Sequence, residues 1–71
     1  AHRGRGAGRL LVEARIERAR GAGRRRLVLL TRPEYAAARA LYERLGFRRD
    51  PERDLSPVPG VDLIGYQLDL A

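Results

Sequence analysis

The sequence predicts an α/β domain whose elements run α-β-α-β-β, with helices packed on a mixed sheet. Three observations predict it. Two stretches carry apolar residues at helical spacing, and each ends at glycine. Between them lies a short apolar run, Leu27-Val28-Leu29-Leu30-Thr31, bounded by turn signals. Further along, residues 61–70 alternate with the period of a strand.

The first helix is expected from about Ala7 or Gly8 to Arg20. Leu11, Val12, Ile16 and Ala19 form its buried stripe, with Leu10 and Ala14 off it. Glu13 and Glu17, each with arginines within a turn, mark the solvated face. Gly21-Ala22-Gly23 stops the helix. The run 27–31 is apolar throughout and too short for a buried helix, so it reads as a strand covered on both faces. Such a strand needs neighbours on both edges, and this chain supplies at most one side of a sheet. Pro33 suits the first turn of a second helix, on which Ala37, Ala38, Leu41 and Leu45 face the core and Gly46 is the stop. Phe47-Arg48-Arg49 starts a short strand, and residues 50–60, rich in proline and charge, read as a loop. In the last strand Ile64, Tyr66, Leu68 and Leu70 point one way, and Asp62, Gln67 and Asp69 the other.

Seventy-one residues bound the chain to one small domain or a piece of one. A chain of this size buries only roughly 60% of its unfolded surface. It begins at Ala1 and reaches its first motif almost at once, so residues 1–71 are expected to be part of a larger domain whose upstream half is absent. With no cysteine there is no disulfide and no thiolate metal site, and His2 is the only histidine, so no metal centre is expected. No apolar run approaches the roughly 18–20 residues of a membrane span, and no signal-peptide pattern appears, so the expectation is a soluble cytoplasmic protein. The net charge is +6, and all fifteen cations are arginine, which favours phosphate-bearing partners. Those partners are either nucleic acid or a polyphosphorylated cofactor.

The run Arg3-Gly4-Arg5-Gly6-Ala7-Gly8, followed at once by Arg9-Leu10-Leu11, places a glycine-rich loop over a helix start. The first turn of a helix has N–H groups without intrahelical partners and a positive dipole end. Glycines let a ligand approach the backbone, so a pyrophosphate is the natural occupant. The spacing is neither the Gly-x-Gly-x-x-Gly of dinucleotide folds nor a loop ending in Gly-Lys-Ser/Thr. The bland alternative is an Arg/Gly-rich flexible leader.

A second motif follows. Residues 31–47 read as a strand end, a helix and a stop, and their tail Ala38-x-x-Leu41-Tyr42-x-x-x-Gly46-Phe47 resembles a signature of the GNAT superfamily of acyl-CoA-dependent N-acyltransferases. The front run Arg3-x-x-Gly6-x-Gly8 resembles that superfamily's pyrophosphate loop. The resemblance covers essentially the whole chain, but only the C-terminal, cofactor-binding half of such a fold. It implies a parent N-acetyltransferase moving an acetyl group from acetyl-CoA to a primary amine through a ternary complex. It implies that backbone N–H groups over residues 5–9 hold the pyrophosphate. In that loop Arg3 takes the first basic position, Arg5 and Ala7 lie within it, Gly6 and Gly8 give its shape, and Arg9 lies beside the phosphates. It also implies that the Tyr42 hydroxyl protonates the departing thiolate; the packing alternative is a ring laid on the sheet. Tyr35 stands where many members carry an asparagine, so its cofactor contact differs or becomes a stack. The general base and most of the acceptor pocket are expected upstream of Arg3. Glu34, Asp50, Glu52 and Asp54 are available carboxylates that read as solvated charges, and the resemblance implies that the loop 50–60 lines one side of the acceptor site.

Two further readings compete. One is a non-enzymatic module for nucleic acid or another polyanion, supported by the charge and the Arg/Gly leader. Against it stand the apolar strand and the Leu41-Tyr42…Gly46-Phe47 tail, which such binding does not need. The other is a piece that orders only beside a partner, either the missing half or a second copy.

Overall fold

In a computed structural model, which describes the backbone from residue 3 and the side chains from residue 6, the longest strand, β4 (Val61–Asp69), pairs with each of the others. The elements that precede it are α1 (Arg3–Gly21), β1 (Arg26–Thr31), α2 (Ala36–Arg44), β2 (Arg48–Arg49), a 3-10 turn (Pro51–Arg53) and β3 (Leu55–Val58). Every pairing is antiparallel. β1 and β2 run parallel to each other, as the α2 crossover between them requires, but β4 lies between them in the order β1-β4-β2. The mixed sheet of the sequence reading is therefore antiparallel in every adjacent pair.

Register sorts the side chains into faces, because directly paired residues project to the same side. Leu27 opposes Leu68, Leu29 opposes Tyr66 and Thr31 opposes Ile64. Both helices lie on this face. Ile16, Phe47 and Tyr66 are its buried centre, and Val12, Tyr42, Leu45 and Leu70 pack around them. Tyr66 is fully enclosed at 0% exposure. The opposite face presents Val28, Leu30 and Leu63, with Leu55 paired to Leu63. No helix among the described residues covers it, and Leu30 is 40% exposed. β1 is thus covered on one face, not two, because both helices pack on the side that carries Tyr66.

Several element boundaries differ from the sequence reading. α1 begins at Arg3, so the glycine-rich run is helical. Arginine and alanine are strong helix formers, each glycine costs only about 1 kcal/mol, and extension adds one hydrogen bond per residue. Neither Gly6 nor Gly8 takes a positive φ. Leu11, placed in the buried stripe, is 67% exposed, which narrows the stripe to Val12, Ile16 and Ala19. On α2, Ala38, Leu41 and Leu45 are half-buried, but Ala37 faces solvent. Pro33 sits in a turn closed by the Tyr35 N–H donating to the Arg32 carbonyl at 3.1 Å, ahead of the helix, a position proline favours.

Residues 50–60 are ordered rather than a plain loop: the 3-10 turn is followed by a hairpin between β3 and β4. Pro59-Gly60 makes its bend, with Gly60 at φ +83°, a conformation that side chains resist. Pro57 is tolerated because β3 pairs on one side only. Asp62 belongs by parity with Ile64, not with Gln67. It is exposed where the strand leaves the core, and its carboxylate accepts from the Ser56 hydroxyl at 2.7 Å. Gly65 is where the 3-10 turn meets the sheet. A Cβ there would come within 2.7 Å of Arg53 Cβ and 2.9 Å of the Asp50 carbonyl oxygen.

Candidate functional site: the seam between the two helices

The two sequence motifs meet in space. A Cβ added to Gly8 would lie 3.9 Å from Leu41 Cδ2, which places the early part of α1 beside the residue next to Tyr42. Among the described residues nothing lies within 4 Å of the corresponding position at Gly6. Helix geometry fixes which backbone donors remain here. The N–H groups in the first turn of a helix have no intrahelical acceptor. Those of Ala7, Gly8 and Arg9 are committed to carbonyls four residues back. The donor set expected over residues 5–9 is therefore shifted towards the chain's start. The side chains of Arg3 and Arg5 lie outside the described residues. Arg9 is ion-paired with Glu13, Nε to Oε2 at 3.1 Å on an exposed face.

Tyr42 is half-buried, and its ring is wedged between two others. It lies 5.8 Å from the Phe47 ring and 5.9 Å from the Tyr66 ring, tilted by 58° and 57°. Such tilted pairs add about 0.5–1.5 kcal/mol beyond the area they bury. Tyr66 is itself pinned. Its hydroxyl accepts from Arg39 Nε at 3.2 Å and donates to Glu43 Oε2 at 3.1 Å. Arg39 Nη1 also donates to the Pro33 carbonyl at 3.1 Å, which ties the turn before α2 to the helix. The bond to the Tyr66 hydroxyl favours the charged guanidinium and pushes the Arg39 pKa up. Arg39 and Glu43 flank Tyr42 on α2, so one buried hydroxyl fixes the helix segment that presents it. This clamp leaves no local signal in the sequence, because its partners lie 23 and 27 residues apart in the chain.

Tyr35 precedes α2, is 53% exposed, and carries the Arg32 guanidinium 6.0 Å from its ring centroid. Three of the four carboxylates weighed in the sequence are ion-paired. Glu34 pairs with Arg32 at 3.1 Å, Asp50 with Arg53 at 2.9 Å, and Asp54 with Arg49 at 2.9 Å. Glu52 is exposed. Asp54 binds both terminal nitrogens of Arg49 and accepts the Gly65 N–H at 2.8 Å. The Arg49 hydrogen bonds, and after them the Gly65 N–H, hold its carboxyl below the usual carboxylate range. Among the described residues no group of three His, Cys, Asp or Glu could hold a metal ion, and no helix is long and apolar enough to cross a membrane.

Residues 1–47 match the family model of the acetyltransferase (GNAT) family. The structure of yncA from Salmonella typhimurium, assigned as an acetyltransferase and solved with its cofactor acetyl-CoA, superposes with a TM-score of 0.77 at 32% sequence identity. The match covers 100% of this chain and 43% of that one, so the chain spans less than half the length of that relative. No curated protein matches it.

Proposed function

Because the chain belongs to the GNAT family of acetyltransferases, we propose that it is the cofactor-binding part of an N-acetyltransferase that uses acetyl-CoA and acylates a primary amine. The observation that carries this reading is the approach of Gly8 to Leu41, which brings the glycine-rich run and the Leu41-Tyr42 pair to one seam.

The residues present suit an extended, phosphate-bearing ligand laid along that seam. Free N–H groups and the positive end of the α1 dipole favour a pyrophosphate at its start. The space beside Gly6, free of other described residues, lets such a group approach the backbone. Arg3 and Arg5 add charge at the same end, where Arg9 is shared with Glu13, and Tyr35 offers an exposed ring near the start of α2. When bound, acetyl-CoA supplies the acetyl group as an activated thioester. The part of Tyr42 is to hold a proton on its Oη and deliver it to the cofactor's sulfur as that atom leaves. A proton donor placed this way contributes about 10²–10⁴-fold to rate. The carboxylates described are largely occupied by arginines, which fits a general base and acceptor walls supplied by residues outside this chain.

Titration with acetyl-CoA by calorimetry tests the site. Gly6→Val meets no other described residue within 4 Å, yet the substitution screens the backbone from a phosphate. The expected result is binding by the unaltered chain and a loss of at least about tenfold, or 1.4 kcal/mol, in the variant. Equal affinity in both would remove the site.

A further inference from the structure

A second surface lies at the other end of α1. Arg15 and Arg18 on the helix, Arg24 in the connection and Arg26 at the start of β1 ring a depression of about 420 Å³. The rest of its lining is apolar: Ala19, Ala22 and Leu27. At 1.5 Å of rise per residue, Ala19 is about 20 Å along the helix from Gly6, so this surface is separate from the seam.

The charge there is poorly neutralised. Arg26 has Asp69 at 3.9 Å, but Asp69 lies closer to Arg48, at 3.2 Å. The nearby Glu17 is paired with Arg20 at 3.5 Å. Among the described residues, Arg15, Arg18 and Arg24 have no carboxylate within ion-pair distance. Guanidinium groups lining one depression repel one another, and each presents a planar fork suited to bidentate binding of an anion.

The apolar part of the lining decides which anion. The chain's aromatic residues, Tyr35, Tyr42, Phe47 and Tyr66, are all absent from the lining, so no platform exists for stacking bases. An apolar patch among cationic groups instead accepts an aliphatic side chain flanked by carboxylates. We propose that this depression docks an acidic protein segment, with one aliphatic side chain over Ala19, Ala22 and Leu27 and its Asp or Glu neighbours paired to the four arginines. A cationic amine would be repelled here, so the depression holds an acidic docking segment and not the reacting amine itself.

Fluorescence anisotropy with the full acetyltransferase tests the proposal. The probe is a labelled peptide in which Asp and Glu flank a central Leu. Its comparators are the same peptide with Ser for Leu and a single-stranded RNA of equal charge. Binding of the Leu peptide is expected, weaker with Ser by about threefold or more. Arg18→Glu and Arg24→Glu, tested separately, should each weaken it by at least about tenfold. Both positions are exposed, and far-UV circular dichroism checks that each variant keeps its fold. Arg44→Glu, the same charge change on an exposed site elsewhere, should weaken binding by no more than about twofold at moderate salt. The proposal is overturned by no binding, by an equal loss in Arg44→Glu, by indifference to the Leu-to-Ser change, or by RNA binding more tightly than the peptide.

Discussion

Tyr42 and Tyr66 divide the work of the seam at the scale of single residues. Tyr66 is the enclosed anchor, and the Tyr42 ring leans on it. In the full acetyltransferase, Tyr42→Phe keeps both ring contacts and removes only the proposed acid. The expected outcome is a fall in kcat of about 10²–10⁴-fold with KM little changed, because the proton moves only in the transition state. Steady-state kinetics with chemistry rate-limiting checks it, and full turnover would leave Tyr42 a packing residue. Gly65→Ala makes a sharper structural case. The added methyl would stand 2.7 Å from Arg53 Cβ, and backbone must move to admit it. A destabilisation of about 1–3 kcal/mol is expected in urea unfolding. The motif residues were legible in the sequence because their types and spacing are local. The Arg39–Tyr66–Glu43 clamp was not, since it depends on β4 folding back beneath α2.

At the scale of elements, the junction of β2, the 3-10 turn and β4 is held by Asp54. Its carboxyl is depressed by Arg49 and then by the Gly65 N–H, so the folded state binds a proton less readily than the unfolded chain. The stabilisation is therefore present above the unfolded value of about 3.9 and is lost as pH falls through the lower folded value. Melting followed by circular dichroism should show stability falling below about pH 4. Asp54→Asn should be less stable at neutral pH and flatter across that acid window. β1, α2, β2 and β4 were legible as elements, because apolar runs, a helical stripe and glycine stops are strong local signals. β3 was hidden by Pro57 and by residues that all face solvent. The Pro59-Gly60 pair, a turn signal, was the available clue to its hairpin. The start of α1 was misplaced because glycines suggested a loop where arginine and alanine sustain a helix.

For the molecule as a whole, the layers are incomplete. It is a slab 36 × 34 × 17 Å, with helices on one face of the sheet. Its accessible surface of 5427 Å² exceeds the roughly 4,450 Å² of a compact monomer of this mass. Its radius of gyration, 12.8 Å, likewise exceeds the roughly 11 Å expected for its length. The outer edge of β1 has no strand beside it among the described residues, and Val28, Leu30 and Leu55 form an apolar strip on the second face beside Gln67, Arg48 and Asp69. An open edge next to an apolar strip invites pairing with another chain. Sedimentation velocity on the 71-residue chain should show self-association that rises with concentration, and a thiol-release assay should show no acetyl transfer. A well-behaved monomer that turns over acetyl-CoA with an amine would contradict both expectations. The α/β class was legible because it follows from local patterns. The one-sided burial was not, because β1 reads equally apolar whether one face is covered or two.

The central position of β4 carries a consequence for synthesis. Ribosomes release a chain in sequence order, and β1, β2 and β3 all precede the strand to which each of them pairs. No ladder of this sheet can close while β4 is still unmade. The helices would emerge with their apolar residues uncovered, and the nascent chain would wait in a state open to chaperones and proteases. Assembly would then come late and all at once, when the residues around Tyr66 reach the exit and supply a floor for both helices together.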